Sequence, residues 1–134
     1  IMLNHEIQNL KLVAKSWNNL DVSFIEAILT DDFTYESQWV LMPITGKESF
    51  LNYLNLKFQA IKEAKKLELM SITAELTLHP SLKNKLGLVI TQITERCVRQ
   101  VSLLIKIHEN KICCIEVCFI PDPTEAILLE EYPI

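Results

Sequence analysis

The sequence predicts a single α+β domain, residues 1–134, in which a curved antiparallel sheet wraps around three N-terminal helices. Apolar residues recur at steps of three and four through most of the chain up to Lys66, and at steps of two in most segments after it. A chain of 134 residues can bury roughly 65–70% of its unfolded surface without metal ions or disulfides. Helices and strands in separate runs of sequence favour helices layered on one sheet.

An apolar stripe indicates the first helix, which is predicted to end near Asn18–Asn19. The stripe consists of Leu3, Ile7, Leu10, Ala14 and Trp17. Asp21 predicts the cap of a short second helix, because an aspartate side chain accepts hydrogen bonds from the free amides of a helix start. We expect this second helix to stop at Asp31–Asp32 and to bury Val22, Ile25, Ile28 and Leu29.

The first strand and the third helix follow. Residues 33–41 are aromatic and β-branched enough to predict a strand. Thr45-Gly46-Lys47-Glu48 matches a capping box, in which the threonine and glutamate side chains each satisfy a free amide. The helix that it opens is predicted to run to about Ala64 and to bury Phe50, Leu51, Leu54, Phe58 and Ile61.

Four strands are predicted in the second half of the chain, and they should pair as antiparallel neighbours. Their ranges are 67–78, 86–95, 98–109 and 112–120. The last segment contains Pro121 and Pro123, which cannot donate to a sheet ladder. We expect that segment to pack across a sheet edge or onto a partner without extending the sheet easily.

The composition excludes several classes of function. Gly46 and Gly87 are the only glycines, so a glycine-rich phosphate loop is excluded. The net charge is −4 and the 13 basic residues form no long run, which argues against a nucleic-acid-binding surface. Charges interrupt each apolar stretch before 18 residues, and residues 3–12 are too polar for a secretory signal, so no membrane association and a cytoplasmic location are expected.

The four cysteines lack the spacing of a metal site. Cys97, Cys113, Cys114 and Cys118 form no C-x2-C pair. We interpret them as reduced thiols that serve as small hydrophobic residues, with a reactive thiol as the alternative. We expect no metal and no cofactor.

Several short phrases carry a resemblance to a known superfamily. They are "WNNLD" at residues 17–21, Asp31-Asp32-Phe33, Gly46-Lys47-Glu48, the turn "ENKI" and the closing "EVCFIPDP". In order and spacing the chain resembles the nuclear transport factor 2-like superfamily, which includes SnoaL-like polyketide cyclases and ketosteroid isomerases. The resemblance implies a cone open at one end, a largely apolar pocket and frequent dimerisation through the sheet. It implies no particular chemistry.

The isomerase branch of that superfamily provides a test of catalysis. The resemblance places its general-base aspartate at Ser37, its oxyanion tyrosine at Val13 and its protonated aspartate near Ser102. None of these residues can take the corresponding role, so steroid isomerisation is not expected.

Side-chain alternation then predicts which residues face the pocket. Tyr35, Ser37 and Trp39 should share the concave face with Phe33, which leaves Glu36 outside. In the last strand Cys113, Ile115, Val117 and Phe119 should face inward, with Glu116 outside. A hairpin of different length would reverse that order. Glu116 and Glu36 therefore stay as the candidate catalytic residues, whereas the candidate ligand-binding residues are Trp17, Tyr35, Ser37, Trp39, Phe58 and Gln92.

Three functions are compatible with these residues. The first is a binding domain for a small apolar or aromatic molecule, without family-type catalytic acids; its alternative is that Tyr35 and Trp39 are simply core. The second is a cyclase, isomerase or hydrolase that uses Glu116 or Glu36 with Tyr35 as a donor. The third is an interaction module, a homodimer formed through the outer sheet face, to which Leu104, Cys114, Cys118 and the tail at residues 126–134 would contribute. Binding and dimerisation are both expected.

Overall fold

The computed structural model describes residues 2–38, 42–129 and 131–134, and over these residues it has the predicted α+β architecture. The helices and long strands follow the predicted order. They are α1 (Met2–Asn19), β1 (Leu29–Ser37), β2 (Ile44–Thr45), α2 (Lys47–Lys66), β3 (Met70–His79), β4 (Lys85–Thr94), β5 (Val98–His108), β6 (Lys111–Cys118) and β7 (Ile127–Leu128). Among the described residues, no helix is long and apolar enough to cross a bilayer.

The strands form one seven-stranded sheet over the described part of the chain, in the order β2-β1-β6-β5-β4-β3-β7. The four long strands β3 to β6 pair as antiparallel neighbours, as predicted. The pairing of β1 with β6 is parallel, so the sheet is mixed. This pairing places β1, the first strand of the chain, beside β6, the last long strand.

The two helices cover one face of the sheet, which we call the inner face. Periodic apolar residues of both helices are buried against it, because burying apolar surface is the main favourable term in folding. The core includes Leu10, Trp17, Phe33, Phe50, Leu54, Phe58 and Ile61. The apolar stripes of the first and third predicted helices are thus confirmed over the described side chains.

The second predicted helix is replaced by two three-residue 3-10 turns, Val22–Phe24 and Glu26–Ile28. Asp21 caps the first turn as predicted, accepting a hydrogen bond from the Ser23 amide at 2.9 Å. The strand β1 already begins at Leu29, so Asp31 and Asp32 lie within it instead of ending a helix. The segment between Asp21 and β1 is short, and short helices gain few hydrogen bonds for the cost of nucleation.

The predicted capping box at Thr45 is also wrong. Thr45 belongs to β2 and pairs with Thr34, and the residue at the start of α2 is Gly46, with φ of +97°. Its amide donates to the Phe33 carbonyl at 2.6 Å, so strand pairing fixes the backbone here and the positive φ favours glycine. Positions 39–41 of the predicted first strand lie outside the described residues.

Residues 119–129 and 131–134, the C-terminal segment, run from the end of β6 past the outer side of β5 to the edge of β3 and to α1. The Ser102 hydroxyl donates to the Pro121 carbonyl at 2.8 Å, and Pro121 and Pro123 are buried. The segment then pairs with the free edge of β3, where Leu128 lies opposite Thr77. It packs across an edge as expected, but it also adds the strand β7, because both prolines precede the paired residues.

Polar residues lie buried on the outer side of the sheet. A position directly before Pro80 predicts a surface turn for His79, but the residue is 1% exposed, and its Nε2 lies 2.9 Å from the Thr77 hydroxyl oxygen. A Cβ atom at Gly87 would lie 2.9 Å from His79 Nε2 and 2.9 Å from the Leu103 carbonyl oxygen. Glycine is therefore required for this close approach.

Burial within the chain also changes the contact surface that was predicted on the outer face of the sheet. Leu104, Cys114 and Cys118 are all buried within the single chain. They are therefore not exposed contact residues on the outer face, although the sequence predicted them to contribute to an interface there. Dimerisation itself stays a prediction.

Burial of His79 leads to a pH-dependent stability. Desolvation lowers the pKa of His79 below the usual 6.5, so the unfolded chain takes up a proton before the folded chain does. The free energy of unfolding should therefore fall as the pH is lowered through about 6.5, until the folded pKa is reached. His79→Gln keeps a hydrogen-bonding side chain and should remove this part of the acid sensitivity.

Urea unfolding of both proteins at neutral pH and at about pH 5 measures the effect, with the exposed His108→Gln as the matched control. An identical acid loss in wild type and His79→Gln would contradict the assignment.

Candidate functional site

A cavity of about 490 Å³ opens between the two helices and the inner face of the sheet. One end of each long strand contributes to it. Ile72 of β3, Gln92 of β4 and Arg99 of β5 lie side by side in register across three strands. Ile90 and Val101 form the next row inward, so period-two alternation alone places these side chains on the cavity wall.

Three aromatic rings form the helix side and one end of the cavity. Trp17 of α1 lines the cavity and packs edge-to-face on Phe58, with ring centroids 5.0 Å apart. Tyr35 of β1 and Tyr53 of α2 lie 5.5 Å apart between centroids. These rings, with Val117, Phe119 and the aliphatic residues of the sheet, give the cavity a largely apolar surface.

Hydroxyl groups cluster at the buried end. The Tyr35 hydroxyl is hydrogen-bonded to those of Tyr53 and Ser37. Burial, followed by the neighbouring Tyr53, raises the pKa of Tyr35 far above its usual value of 10.0. Tyr35 therefore stays protonated throughout the physiological range and presents a neutral hydroxyl.

Two cationic side chains lie at the mouth. Lys57 is exposed, and its Nζ atom lies 5.7 Å from the centroid of the Trp17 ring and 5.9 Å from that of Tyr53. Both distances fit a cation–π interaction. Arg99 is exposed on the sheet side, beside Gln92.

The structure brings together four of the sequence-predicted ligand residues. Trp17, Tyr35, Ser37 and Gln92 all line the cavity. Phe58 does not, because it lies behind Trp17 as a fully buried core residue. Trp39 lies outside the described residues.

The two candidate catalytic carboxylates are not in the cavity. Glu36 is exposed on the outer face of β1 and pairs in register with Glu116 of β6. Glu116 accepts a salt bridge from Lys106 at 3.1 Å on that same face. Both carboxylates therefore lie on the face that alternation predicts, and the sheet separates them from Tyr35. This geometry does not support the alternative in which either carboxylate acts with Tyr35. No carboxylate is found among the described residues that line the cavity.

Cys114 lies beside these carboxylates. Ligand-type atoms of Glu36, Cys114 and Glu116 are within 4.8 Å of one another. Burial raises the pKa of the Cys114 thiol, and both carboxylates add to the shift. The free thiol therefore stays protonated at neutral pH.

The inward alternation predicted for the last strand holds only in part. Val117 and Phe119 line the cavity and Ile115 is in the core, as expected. Cys113 is not on this face, because it is the extra residue of a bulge: Ile107 pairs with Ile112, and Lys106 with Cys114.

Sequence reasoning missed several cavity residues, among them Tyr53, Lys57 and Arg99. Tyr53 and Lys57 are four residues apart on α2 and so share a helix face beside the apolar stripe. That spacing was the available signal. Nothing local marked Arg99, whose place depends on strand pairing.

No family model and no curated protein sequence matches the chain. Solved structures do share its fold. A steroid delta-isomerase from Pseudomonas aeruginosa has a TM-score of 0.63 and 14% identity, covering 85% of this chain and 78% of that one. An LEH-like epoxide hydrolase from Mycobacterium tuberculosis has a TM-score of 0.59 and 14% identity, covering 86% and 82%. An NTF2-like protein from Anabaena variabilis has a TM-score of 0.59 and 11% identity, covering 98% and 91%.

These similarities confirm the nuclear transport factor 2-like fold that the sequence phrases predicted. At identities of 11–14% they establish the fold alone. The chemistry of this chain has to be argued from its own cavity.

The protonated Tyr35 leads to a prediction at high pH. Tyr35→Phe should lower the free energy of unfolding near neutral pH by about 1 kcal/mol, because a buried hydrogen-bonding hydroxyl is lost. Above pH 10.0 the unfolded wild type loses a tyrosine proton that the folded protein keeps, so wild-type stability falls and the gap between the two proteins should narrow.

Denaturant unfolding between neutral pH and the alkaline limit of folding measures this gap, with Tyr132→Phe at an exposed position as the control. A gap that stays constant or widens with pH would contradict a raised pKa for Tyr35.

Proposed function

We propose that this protein binds a small, largely apolar molecule, flat or aromatic in part, in the cavity between its helices and sheet, and that it does so without family-type catalytic acids. The observation that carries the proposal is the chemistry of the described lining. Aromatic rings and aliphatic side chains make up most of the cavity lining, and neutral hydrogen-bond donors are few. No described lining residue carries a carboxylate. A cavity of about 490 Å³ is of the size that small-molecule sites usually have.

The apolar wall would supply most of the affinity. Each Å² of apolar ligand surface removed from water contributes roughly 25 cal/mol, before the cost of immobilising the ligand. Trp17 and Tyr53 offer ring faces or edges, and Ile72, Ile90 and Val101 offer a smooth aliphatic surface on the sheet side.

The buried polar groups would set the orientation. The Tyr35 hydroxyl and the Ser37 hydroxyl lie together at one end, and the Gln92 amide lies on another strand. A ligand with one carbonyl or hydroxyl oxygen could exchange hydrogen bonds with this end while the rest of it stays in apolar contact. An apolar ligand without such an oxygen would lose that orientation.

A general base is the feature that separates binding from the isomerase, cyclase or hydrolase alternatives. Tyr35 stays protonated at neutral pH, and a serine hydroxyl accepts a proton only with a neighbouring base. The described cavity residues include neither a histidine nor a carboxylate. Binding is therefore the function that these residues support best.

The homodimer that the resemblance implies would use the part of the outer face that the C-terminal segment leaves open. Glu36 and Lys106 are exposed there. We expect a two-fold symmetric contact that is polar and salt-sensitive. Light scattering after size exclusion should show a dimer at low salt that weakens at high salt, and a monomer at every concentration would contradict it.

A cavity-filling substitution tests the proposed function. N-phenylnaphthylamine, a neutral aromatic probe that fluoresces in apolar surroundings, should bind the wild type. Ile72→Trp adds an indole to the cavity wall and should weaken this binding at least about tenfold, because the ring occupies the space that the probe needs.

Thr73→Trp is the matched control, since Thr73 is the exposed neighbour on the opposite face of the same strand. It should leave the affinity unchanged. Equal affinity in all three proteins, or no binding to the wild type, would refute the proposal.

A further inference from the structure

We infer that the molecule held in this cavity is an amphipathic anion: an apolar, flat body that ends in a carboxylate or sulfonate group, which Lys57 and Arg99 bind at the mouth. The inference rests on the proposed function and adds the ligand's charge and the residues that recognise it. It follows from the distribution of charge on the chain.

The mouth is cationic in a chain that is acidic as a whole. The chain has 17 acidic and 13 basic residues, yet the charged residues among the described cavity lining are Lys57 and Arg99. Within the described part of the chain, neither side chain has a carboxylate within 4.0 Å. Four other lysines do have such partners: Lys11, Lys66, Lys85 and Lys106. An anionic ligand that enters the cavity would therefore meet Lys57 and Arg99, which have no acidic partner among the described residues.

The two cations belong to opposite walls. Lys57 projects from α2, and Arg99 lies at the start of β5 on the sheet side. Like charges that face one opening repel each other, and a bound anion between them would remove that repulsion. A carboxylate or sulfonate group has at least two oxygens, so it can accept from a guanidinium and from an ammonium together.

Aromatic contacts hold Lys57 in place without using its hydrogen-bond donors. Its ammonium lies between 5.7 and 5.9 Å from the Trp17 and Tyr53 ring centroids, so the rings restrict its position. The three N–H groups of an ammonium are not consumed by ring faces in the way that a carboxylate partner would consume them. The same two rings also line the cavity, so the charged site and the apolar site are continuous.

The depth of the polar groups gives the ligand its direction. The inner hydroxyls of Tyr35 and Ser37 are neutral, whereas both cations are exposed to solvent. A charged group is costly to bury and far less costly at a hydrated mouth. The anionic end should therefore lie outermost and the apolar body should lie innermost.

A pair of probes that differ in one charged group tests this directly. Anilinonaphthalene sulfonate is N-phenylnaphthylamine with an added sulfonate, and both report binding by fluorescence. The wild type should bind the sulfonate about tenfold more tightly than the neutral probe, and added salt should reduce this preference. Naphthoate should likewise displace bound N-phenylnaphthylamine better than naphthamide does, which extends the test to a carboxylate.

Removing either charge should remove part of the preference. Lys57→Gln and Arg99→Gln should each weaken sulfonate binding about threefold to tenfold more than they weaken binding of the neutral probe. Lys57→Arg should restore most of the preference because it restores the charge. Lys62→Gln, an exposed site on the same helix outside the cavity lining, should change neither affinity.

The outcomes separate this inference from the proposed function. If both probes bind equally and the charge variants change nothing, the anionic class is refuted while binding in the cavity stands. If neither probe binds, or if Ile72→Trp leaves both unaffected, the proposed function fails and the inference fails with it.

Discussion

The bulge at Cys113 is the constraint on which the arrangement of the site depends. Ile112 and Ile115 are both buried on the inner face. In a regular strand, side chains alternate between the two faces, so two residues three positions apart would face opposite sides. The extra residue in β6 absorbs this mismatch. Beyond the bulge the alternation is regular, so Ile115, Val117 and Phe119 face inward and Glu116 faces outward. Beyond the bulge Tyr35 of β1 lies opposite Ile115, and Leu103 of β5 lies opposite Val117, so side chains of three strands share the inner face.

The C-terminal segment helps to explain why part of the outer face of the sheet is buried as well as the inner face. Helices cover the inner face, and the segment contacts the outer side of β5 and pairs with the edge of β3. A sheet face that is open to solvent would carry polar residues freely, but here Thr77, His79 and Ser102 are almost fully buried. Hydrogen bonds to Thr77 and to the Pro121 carbonyl compensate their burial in part. The outer side of these strands is therefore a second, more polar packing layer.

Local patterns predicted the elements of this fold, and long-range pairing decided most of what they missed. Helix stripes and strand alternation report which face of an element is buried, so α1, α2 and four strands were predictable. The capping box predicted at Thr45 was wrong because Thr45 pairs with Thr34 as part of the sheet. No local pattern marks the burial of His79, because the glycine that its ring approaches closely, Gly87, lies on the neighbouring strand β4. Periodicity placed both Trp17 and Phe58 in the interior. It could not distinguish Trp17, which lines the cavity, from Phe58, which lies behind Trp17 in the core.

The sheet divides the charges near the site into two groups, and this division favours binding over catalysis. Glu36 and Glu116 lie on the outer side, where Lys106 partly neutralises them, while Lys57 and Arg99 lie at the mouth on the inner side. A one-residue slip of β6 would bring Glu116 inward and place a carboxylate in an apolar cavity, where its pKa would rise and it could act as a base. The regular pairing of β6 with β5 from Cys114 to Cys118 holds it outside. What remains inside is a row of neutral donors below a pair of cations, an arrangement that can orient and hold a molecule but has no described group to accept its proton.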